Sequence, residues 1–185
     1  MIKNIFLTMI MDKKAMKEVN SYKYSFFIVF TAVIFLFEFI LGFLRLHTIE
    51  KVSLSISQFI AVMFAREFVF ILLGFLLGYI LYQTFLRKEN VKIPDLFFKM
   101  IFSMNFISLI IGPINMFLNI GMFLVLGRIV YNFFFIIDYI KINLELELSE
   151  KTLKKYVLVS FALTFVLFVF IFKIILIIIG TIIKS

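Results

Sequence analysis

Cysteine and tryptophan are both missing from the 185 residues, histidine occurs once (His47) and proline only twice. Without cysteine there is no disulfide, no thiolate metal ligand and no sulfur nucleophile. One histidine is too few for a His-rich zinc site, so metal binding would fall to carboxylates. The chain also lacks a Gly-rich phosphate loop with Lys and Ser/Thr, an H-E-x-x-H pair, a G-x-S-x-G elbow and paired aspartates inside an apolar run. Glu145 and Glu147 do not share a helical face, which argues against a metal there. These absences predict a protein that is not an enzyme, with no catalytic residue, no cofactor and no metal site.

What is abundant is phenylalanine, with 28 residues, in a chain that is 64% hydrophobic with a mean hydropathy of +1.15. A soluble core of this length could not bury so much apolar surface, so the sequence predicts an integral membrane protein of the all-α class. A helix crossing the ~30 Å hydrocarbon layer needs about 20 apolar residues. Five such spans are expected, at about 24–44, 68–86, 94–112, 116–137 and 157–180, forming one polytopic helical bundle over 1–185. Pro94 and Asp95 suit the start of the third span and Pro113 its end, which makes "GPIN" a tight turn into the fourth. Residues 53–67 are apolar enough either to lie in the interface or to extend the second span.

The net charge of +8 is explained by sidedness rather than by nucleic acid. Lys3, Lys13, Lys14, Lys17, Lys23, Arg87, Lys88, Lys92, Lys99, Lys141, Lys151, Lys154 and Lys155 fall on one side of the expected spans. Only Arg45, Lys51, Arg66 and Lys184 fall on the other. The positive-inside rule then predicts a cytoplasmic N-terminus and an external C-terminus in a cell membrane. Tyr22, Tyr24, Tyr82, Tyr139 and Tyr156 form an aromatic belt at the same inner boundary. Residues 1–23 lack a small-residue cleavage site and read as retained. Ile2, Ile5, Phe6, Met9, Met16 and Val19 recur at helical spacing between lysines, predicting an amphipathic helix on the anionic cytoplasmic leaflet.

Charges inside the spans are few. An arginine at mid-span disfavours insertion by about 2.5 to 3.5 kcal/mol, and the dozen or more apolar residues around Arg128 return that. Arg128 is therefore tolerated, but it should face protein or water. Asn105 is expected at the same depth, with Asn132 one turn below Arg128. Glu38 lies about 21 Å above the inner start of its span, level with Lys173, making this pair better matched than Glu38 with Arg128. Gly74 and Gly78 share one helix face and permit close approach, within the bundle or between copies. The stretch from Glu145 to Lys155 is a solvated connection or a docking site for a cytoplasmic protein.

The segments "NIFLTMIMDKKAMKEV", "VKIPDLFFKMIFSMNFISLIIGP" and "SEKTLKKYVLVSFALTFVLF" give a layout of a cytoplasmic N-terminal segment, five spans, a compact hairpin of spans three and four, and a basic entry to the last span. This layout resembles the Ypt-interacting-protein (Yip) domain family in its bacterial-type members. The resemblance implies a membrane module that organises partners or lipids and has no catalytic site. Three functions follow from the residues as expectations: a membrane scaffold, organising factor or accessory subunit; a small transporter using Glu38, Arg128, Asn105, Asn119 and Asn132; or an immunity protein against a membrane-active toxin.

Overall fold

A computed structural model describes residues 1–46, 48, 55–89, 94–117, 121–144 and 148–184. Helices α1 (Ile2–Met9) and α2 (Lys13–Asn20) precede α3 (Tyr24–Arg45), α4 (Ile56–Thr84), α5 (Pro94–Met104), α6 (Ser108–Phe117), α7 (Gly121–Asn143) and α8 (Glu150–Lys184). No strand occurs among the described residues. Among the described residues, three stretches are long and apolar enough to cross a membrane: Tyr24–Arg45, Leu96–Ile114 and Glu150–Phe170. Their outer faces suit lipid, since Ile28, Val29, Val33, Leu36 and Ile40 of α3 all stand exposed, as do Leu158, Phe165, Val166 and Phe170 of α8.

The N-terminal segment differs from the expected single helix on the leaflet. It is a helical hairpin, because the chain reverses at Met11, whose φ is 60°. The amides of Met11 and Asp12 bond to the carbonyls of Thr8 (3.0 Å) and Leu7 (2.9 Å), the two bonds of a Schellman ending. Asp12 then caps α2, its Oδ1 accepting from the amide of Ala15 at 2.8 Å. The apolar residues at helical spacing divide between two surfaces. Ile5, Met9, Met16 and Val19 are buried in protein, whereas Ile2, Phe6 and Ile10 remain exposed. Two cores account for the burial. Met16 joins α4, α5, α7 and α8 around Leu81, Met100 and Ile140, and Ile5, Met9 and Val19 join α3 and α5 around Phe27, Phe102 and Phe106.

At α4 the structure takes one of the two expected alternatives, and helix boundaries depart from expectation in three other places. Ser55 and Gln58 form a reciprocal capping box, with Ser55 Oγ accepting from the Gln58 amide at 3.3 Å and Gln58 Oε1 from the Ser55 amide at 3.1 Å. Residues 56–67 are therefore helix continuous with 68–84, and α4 runs unbroken for 29 residues. Pro113 does not end the third span, since α6 continues through it to Phe117 and "GPIN" is helix rather than turn. A proline inside a helix removes the hydrogen bond to the carbonyl four residues back, a loss a packed membrane helix accommodates. Met116 and Phe117, expected to open the fourth helix, belong to α6, α7 is described from Gly121, and the last helix begins at Glu150, not 157. There Ser149 Oγ accepts from the Thr152 amide at 3.2 Å, an N-cap that turns the basic stretch into the first turns of α8.

The third span is itself interrupted. Between α5 and α6 the backbone tightens into one 3-10 turn, Asn105–Ile107. Its ring Phe106 is fully buried against Phe30 of α3 at 5.2 Å.

Candidate functional site

One end of the bundle collects residues that lie far apart in sequence. Lys99 on the second turn of α5 donates to the main-chain carbonyl of Asn20 at 2.7 Å, and its ammonium lies 5.4 Å from the ring centre of Tyr24. Tyr139 of α7 donates to the side-chain carbonyl of Asn20 at 3.0 Å. The last residue of α2 is thus held by two other helices, one of them giving a positive charge at the helix's carbonyl end. Neighbouring rings complete the layer: Tyr24 against Phe98 at 5.0 Å, Tyr82 of α4 against Phe97 at 6.0 Å, and Phe85 stacked on Tyr156 of α8 at 4.3 Å. Asn4 reaches across the hairpin to Glu18 (2.6 Å) and to the Tyr22 hydroxyl (3.0 Å).

At the same end α7 is tied to α8. Glu150 pairs with Lys141 and with Lys154, each at 2.6 Å. The hydrogen bonds from Lys141 and then Lys154, followed by their charges, lower the Glu150 carboxyl to about 2. Both ion pairs are solvent-exposed, so they orient the helix ends more than they stabilise the fold. Lys3, Lys13, Lys14, Lys17, Lys23, Lys151 and Lys155 project outward around this layer.

Deeper in the bundle, Arg128 of α7 donates through Nη2 to Oδ1 of Asn105 at 3.0 Å. Asn105 opens the 3-10 turn, so the bond joins the interruption in the third span to the one arginine within α7. Tyr131 and Asn132 follow Arg128 on the same face. The hydroxyl of Tyr131, Oδ1 of Asn132, and the hydroxyls of Ser103, Ser160 and Thr31 are buried without a hydrogen-bond partner among the described residues. Such groups are sites where water or a ligand would be accommodated.

Glu38 lies against α6. A methyl group placed on Gly112 would stand 3.9 Å from its Cγ and 3.2 Å from Cδ1 of Leu41. The side chains of Lys173, Arg66 and Glu67, and all of Asn119, Glu145 and Glu147, fall outside the described residues, so the expected match of Glu38 with Lys173 lies there too. Gly74 and Gly78 face α5, the first against Ile101 and the second against Ile101 and Phe97. No three His, Asp or Glu side chains converge on a metal position among the described residues.

Sequence reasoning missed the junction of Asn20 with Lys99 and Tyr139. Lys99 reads as a flanking charge and Tyr139 as a belt residue, and neither carries a local sign that it bonds to a residue far earlier. No family model, curated protein or solved structure matches the chain.

Proposed function

We infer that this chain is a non-enzymatic, polytopic protein of a cytoplasmic membrane that organises the inner surface as a scaffold, membrane-organising factor or accessory subunit. In this reading α3, α4, α5 with α6, α7 and α8 are five crossings, the N-terminus is cytoplasmic and the C-terminus external. The observation that carries it is the layer around Asn20. Ends of α2, α4 and α7 and starts of α3, α5 and α8 meet there, and these are the ends that bear the basic excess and the tyrosines. The docked hairpin turns that end into a broad, lysine-fringed platform suited to an anionic leaflet or to an acidic face of a cytoplasmic protein. The resemblance to Yip-domain proteins points the same way.

Reporters fused at both ends test the topology; equal reporting from one compartment overturns it. Affinity capture from gently solubilised membranes tests the organising role. Recovery of one protein at fixed ratio is the expected result, lost when Lys13, Lys14 and Lys17 are all changed to Gln. Capture unaffected by that change overturns the platform.

A second reading has its own observation. An interrupted span at mid-depth whose turn residue bonds an arginine, beside buried unmatched hydroxyls, resembles the discontinuous helices around which transporters build binding sites. Water access separates the two. A cysteine introduced at Ser103 reacts with a water-soluble thiol reagent in a transporter and stays inert in a dry scaffold.

A further inference from the structure

Where the hairpin passes into α3, a shallow groove opens on the outside of the bundle. Ser21, Lys23 and Ser25 line it at the helix entry, and Tyr22, Phe26 and Val29 line its wall. Its apolar end is continuous with the exposed strip of Val29, Val33, Leu36 and Ile40 along α3. At the other end stand the exposed Lys23 and Ser25, beside Ser21, whose hydroxyl is already donated to the Glu18 carbonyl at 2.6 Å. The wall is preformed: Asn4 holds the Tyr22 hydroxyl at 3.0 Å, Tyr22 meets Phe26 edge-on at 4.8 Å, and Phe26 stacks on Phe30 at 5.6 Å. The wall ends at the level of the tyrosine and lysine layer, which is where phospholipid head groups would lie.

We propose that this groove is a specific site for one anionic phospholipid, with the phosphate at Lys23 and Ser25 and an acyl chain along Phe26 and Val29. The inference rests on the reading of this end as the inner face of a membrane protein. Two features choose a lipid over a second protein copy. The apolar wall runs without a break into the strip of α3 that faces hydrocarbon, and the polar groups sit only at the head-group end. A lysine at a head-group level attracts an anionic lipid without excluding a zwitterionic one, so the site discriminates by preference.

The absence of tryptophan makes the test direct, because a single introduced indole is the only one in the chain. Val29→Trp reports from the groove and Val33→Trp from the neighbouring lipid-facing strip. Phe26→Trp is a second groove reporter in case an indole at position 29 itself fills the site. Each full-length variant is placed in phosphatidylcholine vesicles containing a small, equal fraction of acyl-brominated phosphatidylglycerol or acyl-brominated phosphatidylcholine. Phosphatidylglycerol is expected to quench a groove reporter at about one-fifth the concentration of phosphatidylcholine. Lys23→Gln abolishes that preference, Lys13→Gln leaves it intact, and position 33 shows none. Equal quenching by both lipids in the groove means ordinary boundary lipid and overturns the proposal. A groove shielded from both lipids while position 33 is quenched means that protein covers it, and also overturns it. If position 33 is unquenched as well, the membrane reading itself fails.

Discussion

Replacing Gly74 by alanine sets a methyl group 2.8 Å from Cγ2 of Ile101, with Cγ1 and Cβ of the same residue at 3.6 and 3.8 Å. Cγ2 is attached at the branch point of a buried side chain, so it cannot swing away without moving the Ile101 backbone or rotamer. Overpacking of this kind destabilises by ~1–3 kcal/mol, against ~1 kcal/mol gained by exchanging Gly for Ala in a helix. Gly78 offers a matched control on the same face. A methyl there meets Ile101 and Phe97 at 3.5 to 3.6 Å, ordinary contact, so only the gain remains. Gly74→Ala should therefore be less stable than Gly78→Ala by ~1–3 kcal/mol. Unfolding in mixed micelles titrated with a denaturing detergent, followed by circular dichroism, measures the difference. Ile101→Ala, which removes Cγ2, should relieve the Gly74→Ala penalty, giving a favourable coupling of similar size in a double-mutant cycle. Equal penalties at the two glycines, or zero coupling with Ile101, would show that the small residues serve a contact outside this bundle and refute the reasoning.

Four further outcomes are expected. Met16→Ala empties a fully buried position under the hairpin and should weaken its docking by ~2–4 kcal/mol, read as faster tryptic cleavage at Lys13, Lys14 and Lys17 in inside-out vesicles; unchanged cleavage counts against a docked hairpin. Met11 packs against the core at φ 60°, so Met11→Ala, which keeps the left-handed strain, should be less stable than Met11→Gly, which loses the same packing without it, by ~1 kcal/mol, read as faster cleavage at those lysines. Arg128→Gln should lower the unfolding midpoint by the ~1.5–3 kcal/mol of a charged hydrogen bond, with Asn105→Ala showing a similar loss and little more in the double variant. Glu150 has a folded-state carboxyl held at about 2, below its unfolded value, so its contribution is present above the ordinary carboxylate range and fades as pH falls toward 2. A small stability difference between the protein and Glu150→Gln should therefore be seen near neutrality, shrink in acid, and weaken in salt.

The helical class and the existence of long apolar helices were legible because they depend on run length and composition, which need no knowledge of neighbours. Depth arithmetic also survives folding when helices run close to antiparallel, which is why residue counting sets Arg128 and Asn105, which are bonded, at one level. The failures share a cause. Pro113 reads as a stop by its local chemistry, but the 3-10 turn that ends five residues before Gly112 starts a new helix, and packing against α3 carries it through. The N-terminal segment shows one amphipathic pattern to a helical projection. The left-handed turn at Met11 carries no glycine to announce it, so the division into two helices was hidden. Ser55 and Gln58 carry a capping signature, but the apolar run after it suits interface as readily as span. The unmatched hydroxyls of Ser103 and Ser160 have no sequence signature at all, since serine in a membrane helix is usually satisfied by its own backbone.

The clasp on Asn20 also governs timing. Lys99 is made 79 residues after Asn20 and Tyr139 119 residues after it, so at ~5–20 residues per second the hairpin waits about 6 to 24 s for its receptor to emerge. During that interval its greasy side has no seat, and only the lysines around it keep that side soluble. The hairpin thus locks only once α7 is made, and the helices from α3 to α7 must be threaded correctly before it closes.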